Sequence, residues 1–389
     1  MKVEDAVNLH EVRELARRRL PRLLFDYIDG GVDDELGLLR NRSGYQRHQL
    51  LPRYLVDVSA CDQSTVLFGR TYAHPFGIAP MGQCGLFRRG ADLMLAEAAA
   101  EANIPLLLST GSNASLETVA RVAPHVTWFQ LYGARDRAMS LDMVKRARDA
   151  GIGTLVLSVD VPVMSNRERN RRNGFRRELR PTPKILRQVL ARPAWLWEYL
   201  RHGMPALGNF APYERAGADG RQLAALFEAS IPAPAQTWEW LNLLRQQWAG
   251  TLIVKGVLHP QDALLALQAG ADGVIVSNHG ARQLDAAPAT VDMLPAVCVA
   301  VGDRMKVMID SGIRRGSDIV VARCLGAAFG FLGRPFLFGA VAGGMSGVRK
   351  VIHTLSRQIA LVQAQIGCAC YDRLGPQYLA ATVPPPRFQ

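Results

Sequence analysis

Residues Ser277 to Asp285, SNHGARQLD, set an imidazole, His279, three positions ahead of a guanidinium, Arg282. They directly follow the strand-length run DGVIV, residues 272–276. Asn, His, Arg, Gln and Asp all lose hydration when drawn into a fold without partners, so such density behind a buried strand calls for a reason. A polar loop with one salt bridge would supply one. A base beside an anion clamp, at the mouth of an α/β site, would supply a better one if other strand ends converge on the same place.

The elements that would position these groups begin at Pro75. From there, short apolar runs alternate with helical stretches of roughly a dozen residues, the pattern of βαβ units and a parallel sheet. Eight strand candidates emerge: Phe76 to Pro80, Pro105 to Ser109, Val126 to Leu131, Thr154 to Val159, Thr251 to Val254, Gly273 to Ser277, Lys306 to Ile309 and Ala328 to Leu332. Helical spacing covers 90–102, 115–123, 138–150, 237–248, 260–269, 290–301 and 315–325, with an eighth helix near 346–365. Eight units predict an α/β fold of the (β/α)8 TIM-barrel class. A doubly wound open sheet is the runner-up, but no GxGxxG turn follows the first strand.

The barrel is expected over 76–375 of a single domain spanning 1–389. Residues 1–75 form its cap, with an N-terminal helical segment at 9–27 and short β-like pieces at Tyr54-Leu55-Val56 and Thr65-Val66-Leu67. A long insertion, 161–236, follows strand four. Connections of that length are generally functional or unstructured.

Composition narrows the class. The chain of 389 residues is 49% hydrophobic and carries a formal charge of +12. Arginines crowd 167–192 against only Glu168 and Glu178, with Trp195, Trp197 and Tyr199 just beyond. Such a balance favours anionic partners. No nucleic-acid-binding motif accompanies it, so nucleic acid is not expected. The six cysteines are scattered without zinc or CxxC spacing, which fits a reducing cytoplasmic compartment and no metal site. The N-terminus lacks the apolar core of a signal peptide, and no apolar run is long enough to span a bilayer.

Barrel enzymes build their sites from the C-terminal ends of their strands. Seven of the eight expected ends carry functional groups: Ser109; Gln130 with Tyr132; Asp160; Lys255; His279 with Arg282; Asp310 with Arg314; and Gly333 with Arg334. Backbone N–H groups at Gly312, Gly333 and Arg334, with the Arg314 side chain, sit where barrels hold a phosphate, so a phosphate-bearing cofactor is indicated. Lys255 would stabilise negative charge on a flavin or, alternatively, form a Schiff base with PLP. Histidine is a base suited to neutral pH, and Asp160 is its candidate counter-charge. Arg167 and Arg282 could fork a substrate carboxylate, with Tyr27 and Tyr132 as hydroxyl donors. That constellation reads as oxidation of a 2-hydroxy acid.

The motifs FDYIDGG, LSTGSN, WFQLY, LSVD, NRERN, VKG, SNHGARQLD, IDSGIRRG and LGRP, in this order, resemble the FMN-dependent L-2-hydroxy acid oxidase and dehydrogenase family over nearly the whole chain. The resemblance implies FMN held by Pro80, Met81, Gly82, Ser109, Gln130, Ser158, Lys255, Ser277, Asp310, Gly312, Arg314, Gly333 and Arg334. It implies His279 as the base, Asp160 as its partner, Tyr27, Arg167 and Arg282 as carboxylate ligands, and Tyr132 against the substrate oxygen. Lys255 would serve both flavin and reaction. A homotetramer is implied as well.

The chain departs from the family pattern at several places. Met81 replaces a threonine in APT, Ser158 replaces the threonine of LTVD, and Ser165 stands where glycine is common. IDSG replaces IDGG. Gly111 replaces a bulky aromatic residue, which should open room for a larger, aromatic 2-hydroxy acid. The segment around Trp195, Trp197 and RHGMPALGNF is similar to the membrane-associated mandelate and lactate dehydrogenases. It implies a peripheral position on the inner face of the cell membrane, an anionic lipid surface and a quinone acceptor. L-lactate is the alternative substrate, a soluble oxidase using O2 the alternative enzyme, and a basic binding module the alternative without catalysis.

Overall fold

A computed structural model describes residues 1–175 and 182–380. A short hairpin of β1 (Thr65–Leu67) and β2 (Arg70–Tyr72) precedes eight parallel strands. These are β3 (Phe76–Ile78), β4 (Leu106–Ser109), β5 (Thr127–Tyr132), β6 (Thr154–Ser158), β7 (Thr251–Val257), β8 (Gly273–Val276), β9 (Lys306–Ile309) and β10 (Phe329–Leu332). They close into a barrel in chain order, with β10 pairing back to β3. The expected (β/α)8 TIM barrel is therefore the observed fold. Strands such as LLLS, TLVLS and GVIV are buried at every position, because helices cover one face and packed side chains fill the other.

Register brings the polar ends together. Ser109 pairs with Gln130, Tyr132 with Ser158, and Ser158 with Lys255. The ladder between β7 and β8 shifts register between Lys255 and Val257. Gly256 occupies that irregularity at φ +108°, and a Cβ there would lie 2.5 Å from the Asp160 Cβ. Only a residue without a side chain lets Asp160 approach the end of β7 so closely.

Several boundaries differ from expectation. Pro21 divides the N-terminal helical segment into Leu9–Arg19 and Arg22–Asp29, and a third helix, Leu36–Gln46, follows. The Tyr54-Leu55-Val56 piece is exposed and bends at Leu55, at φ +61°, rather than forming a strand, while Thr65-Val66-Leu67 is β1. The helix after β10 is Arg334–Gly343, and the long helix Met345–Gln365 comes after it. The insertion is largely helical, with Glu168–Asn173, Pro183–Leu190, Pro193–His202 and Gly220–Ser230. Residues 176–181 of the insertion and 381–389 of the expected domain lie outside the described residues.

Asp285, the last residue of the opening motif, proves to be a scaffold group. Its carboxylate accepts from the backbone N–H of Leu36 at 3.2 Å and of Gly37 at 2.6 Å, satisfying the start of the third N-terminal helix. Asp285→Ala should therefore lower unfolding stability by about 1–2 kcal/mol. Urea unfolding monitored by circular dichroism will measure this, and a midpoint equal to the parent's would show that another group caps the helix.

Candidate active site

The strand ends frame a cavity of about 200 Å³ whose lining includes Tyr27, Ser109, Tyr132, Lys255, His279 and Arg282. His279, Gly280 and Ala281 are three successive residues in left-handed conformation, at φ +57°, +65° and +56°. This turn carries the imidazole to the cavity immediately after β8. His279 Nδ1 lies 2.9 Å from Asp160 Oδ1, so the carboxylate fixes the tautomer with the proton on Nδ1. Nε2 is then the basic atom, 3.3 Å from the Tyr132 hydroxyl. Burial pushes the Asp160 carboxyl up, but His279 and Lys255 outweigh it and hold the group below its ordinary range. Burial also drives the Tyr132 phenol up to about 12, with the Asp160 charge adding to the effect, so the phenol stays protonated.

Lys255 is 3% exposed and lies 2.9 Å from Asp310 and 4.0 Å from Asp160. Burial alone would lower its pKa; the two carboxylates reverse this and raise it, so it remains an ammonium. A permanently protonated amine is a poor Schiff-base nucleophile. Its third contact is the Ser277 hydroxyl at 2.8 Å. The same oxygen accepts from His279 N at 3.0 Å and lies 3.5 Å from Asp160 Oδ2, so Ser277 is occupied inside this network.

The arginines divide by task. Arg282 Nη1 donates to the carbonyls of Tyr27 and Gly30, at 2.7 and 3.1 Å, and its guanidinium sits 4.9 Å from the Tyr27 ring centre. Arg167 lies 5.7 Å from the same ring and donates from Nε to Ser165 Oγ and from Nη2 to Gln283. Desolvation, with repulsion from Arg167, lowers Arg282 to about 10. Two cations around one aromatic ring favour an anion between them. Arg314 is likewise lowered to about 10, first by desolvation and then by Arg42.

The Arg334 side chain serves the protein: it donates to the carbonyls of Ile28, Gly30 and Gly280. What Arg334 offers an anion is its backbone N–H, in the first turn of Arg334–Gly343, where no intrahelical acceptor exists. Gly312 sits at φ +84°, and a Cβ there would lie 2.4 Å from the Asn41 carbonyl oxygen.

The donor set fits FMN. Gln130 is wholly buried in β5, and both atoms of its amide lack a hydrogen-bond partner among the described residues; so does the Ser158 hydroxyl beside it. Buried polar groups are rarely left so. A flavin's ring of alternating carbonyl and N–H groups would satisfy both, and its phosphate would meet the Arg314 and Gly333 end of the cavity. Pro80, Met81, Gly82 and Ser109 also line the cavity.

Gly111 does not leave the space expected of it. A Cβ there would meet the Phe227 ring at 3.1 Å, so an aromatic side chain from the insertion fills the place. Gln83 was not foreseen from the sequence: it lines the cavity at φ +59°, 5% exposed, with both amide atoms unpartnered among the described residues. The only signal for it was a polar residue just after the first barrel strand. Ser311 was signalled by IDSG but given no role.

Residues 16–381 match the family of FMN-dependent dehydrogenases. The chain is 40% identical over 376 residues to the (S)-mandelate dehydrogenase of Pseudomonas putida, covering 97% of this chain and 94% of that one. It is also 40% identical over 377 residues to an L-lactate dehydrogenase of Caulobacter sp. (strain K31), covering 96% and 98%. Among solved structures, one described as the monotopic membrane protein (S)-mandelate dehydrogenase superposes with a TM-score of 0.93 at 40% identity, covering 97% of this chain and 99% of that one. A mandelate oxidase with (S)-2-phenylpropionate gives 0.81 at 34% identity, covering 96% and 98%.

The chain belongs to the FMN-dependent dehydrogenase family. Within it, the protein is an FMN-dependent 2-hydroxy acid dehydrogenase. Gln130→Leu removes the buried, unpartnered amide and is expected to weaken FMN binding by about 1–3 kcal/mol. Fluorescence titration of the apoprotein with FMN will measure it; an unchanged dissociation constant would place Gln130 outside the cofactor site.

Proposed function

We propose that the protein oxidises an aromatic, mandelate-like L-2-hydroxy acid to its 2-oxo acid at the surface of a membrane, passing the electrons to a quinone. The observation that carries the chemistry is the orientation of His279, with Nδ1 against Asp160 and Nε2 at the cavity. FMN, when bound, would accept the two electrons leaving the substrate's CHOH group together with its second hydrogen. His279 Nε2 takes a proton from the substrate's CHOH group, and Asp160 stabilises the resulting imidazolium. Arg282 and Arg167 clamp the carboxylate, relieving their mutual repulsion. The Tyr132 hydroxyl donates to the substrate oxygen, and Tyr27 completes the carboxylate site. Lys255 contributes a fixed positive charge between Asp160 and Asp310.

Support for an aromatic side chain comes from the apolar walls formed by Val161, Met164, Phe227 and Ile231, and from likeness to mandelate enzymes. L-Lactate is the second reading, favoured by lactate dehydrogenases of equal identity. Anaerobic flavin bleaching across a panel of glycolate, lactate and mandelate enantiomers tests both. Fastest reduction by (S)-mandelate supports the first, by L-lactate the second, and no reduction by any of them rejects 2-hydroxy acid oxidation. Arg282→Met should cost roughly 3 to 5 kcal/mol in kcat/KM, because it leaves a substrate carboxylate buried without its partner. A change confined to salt-dependent association would place Arg282 at the rim.

The membrane reading rests on the helices Pro183–Leu190 and Pro193–His202. Their inner face buries Ile185 and Trp195, whose Nε1 donates to the Leu86 carbonyl. Leu186, Leu190, Trp197 and Leu200 are exposed beside Lys184, Arg187, Arg192 and Arg201. Apolar side chains with a basic fringe suit an anionic bilayer surface, and no helix among the described residues is long and apolar enough to cross one. The family resemblance adds the inner face of the cell membrane and a homotetramer to this reading. Trp197→Glu with Leu200→Glu should lower partition onto vesicles with anionic lipid by at least about tenfold while flavin reduction stays near wild type. Unchanged vesicle sedimentation would assign these helices to contact with another protein surface.

A further inference from the structure

The backbone N–H groups of His279 and Gly280 are held by two different serine hydroxyls. His279 N donates to Ser277 Oγ at 3.0 Å, and Gly280 N donates to Ser311 Oγ at 2.9 Å. Ser277 Oγ accepts from Lys255 Nζ, and Ser311 Oγ donates to Asp310 Oδ1 at 2.8 Å. Lys255 and Asp310 are themselves paired at 2.9 Å. The contacts therefore form a closed ring, from the His279–Gly280 peptide through one serine to the ammonium, across to the carboxylate, and back through the other serine. It joins the ends of β7, β8 and β9.

Ser311 holds its place at φ +74°, a backbone conformation that a Cβ disfavours and that glycine would adopt readily. Its carbonyl oxygen lies 3.4 Å from both Tyr45 Oη and Thr290 Oγ1, which secures that conformation. A side chain kept where glycine would be more relaxed points to a use for its hydroxyl.

We propose that Ser311 is a positioning residue for the base His279, acting through Gly280 by locking the left-handed turn to the Lys255–Asp310 pair. The inference rests on the reading of His279 as the base. It adds that the orientation of the imidazole depends on an ion pair beside the cofactor site, so that a charge change there is felt at the base through two hydroxyls.

Ser311→Ala keeps the strained backbone and removes the hydroxyl; Ser311→Gly removes both the hydroxyl and the strain. A merely structural serine would make the alanine variant less stable and the glycine variant at least as stable as the parent, with normal turnover once loaded with FMN. A positioning serine lowers kcat in both variants by about tenfold, with KM and FMN affinity within about threefold of wild type. The substrate α-deuterium isotope effect on kcat should rise as well.

A second readout does not need turnover. The low-field proton resonance of the His279 Nδ1–H bonded to Asp160, assigned by its loss in His279→Asn, should broaden or shift upfield in both variants. Wild-type kcat and an unmoved resonance would overturn the proposal, as would losses confined to melting temperature or FMN affinity. Failure of the parent enzyme to reduce its flavin with any 2-hydroxy acid would instead reject the function reading, leaving the resonance to decide the role of Ser311.

Discussion

A buried ammonium is the constraint on which the site depends. Lys255 can remain charged in the interior only because Asp310 and Asp160 approach it from neighbouring loops. The requirement extends outward from there. Asp160 can come close only because Gly256 has no side chain, and Asp160 also orients His279. One charge thus fixes the relative positions of three strand ends. The site has little freedom to adjust any one group alone.

Much of the barrel was legible because its strands are buried on both faces. Most read as a short apolar run with a polar residue at or just past the C-terminal end, where Ser109, Lys255 and His279 line the cavity. That is how Ser109, Gln130, Asp160, Lys255 and His279 could be picked out from one sequence. The helix Arg334–Gly343 was missed because RPFLFGAVAG is apolar around most of its circumference and shows no amphipathic period. Pro21 splits the first helical segment although apolar spacing continues across it, so the pattern alone did not expose the break.

Partnership was less legible than position. Residue type shows that Ser277 can accept and Arg334 can donate hydrogen bonds, but not that Lys255 and three backbone carbonyls are their partners. The Phe227 ring beside Gly111 comes from more than a hundred positions away in the chain, so the missing aromatic at 111 suggested space that another element supplies with a ring. Gln83 was hidden for a similar reason. Its burial without a partner is a property of the folded cavity, not of the local sequence.

The carbonyls gathered by Arg334 and Arg282 have a consequence for the order in which the molecule is made. Those arginines lie in the last third of the chain, and the carbonyls of Tyr27, Ile28 and Gly30 lie near its beginning. During synthesis the first thirty residues leave the ribosome long before their partners exist, so they cannot take up their final place over the barrel mouth until β8 and β10 have formed. Closure of the mouth by these residues is therefore a late event in folding.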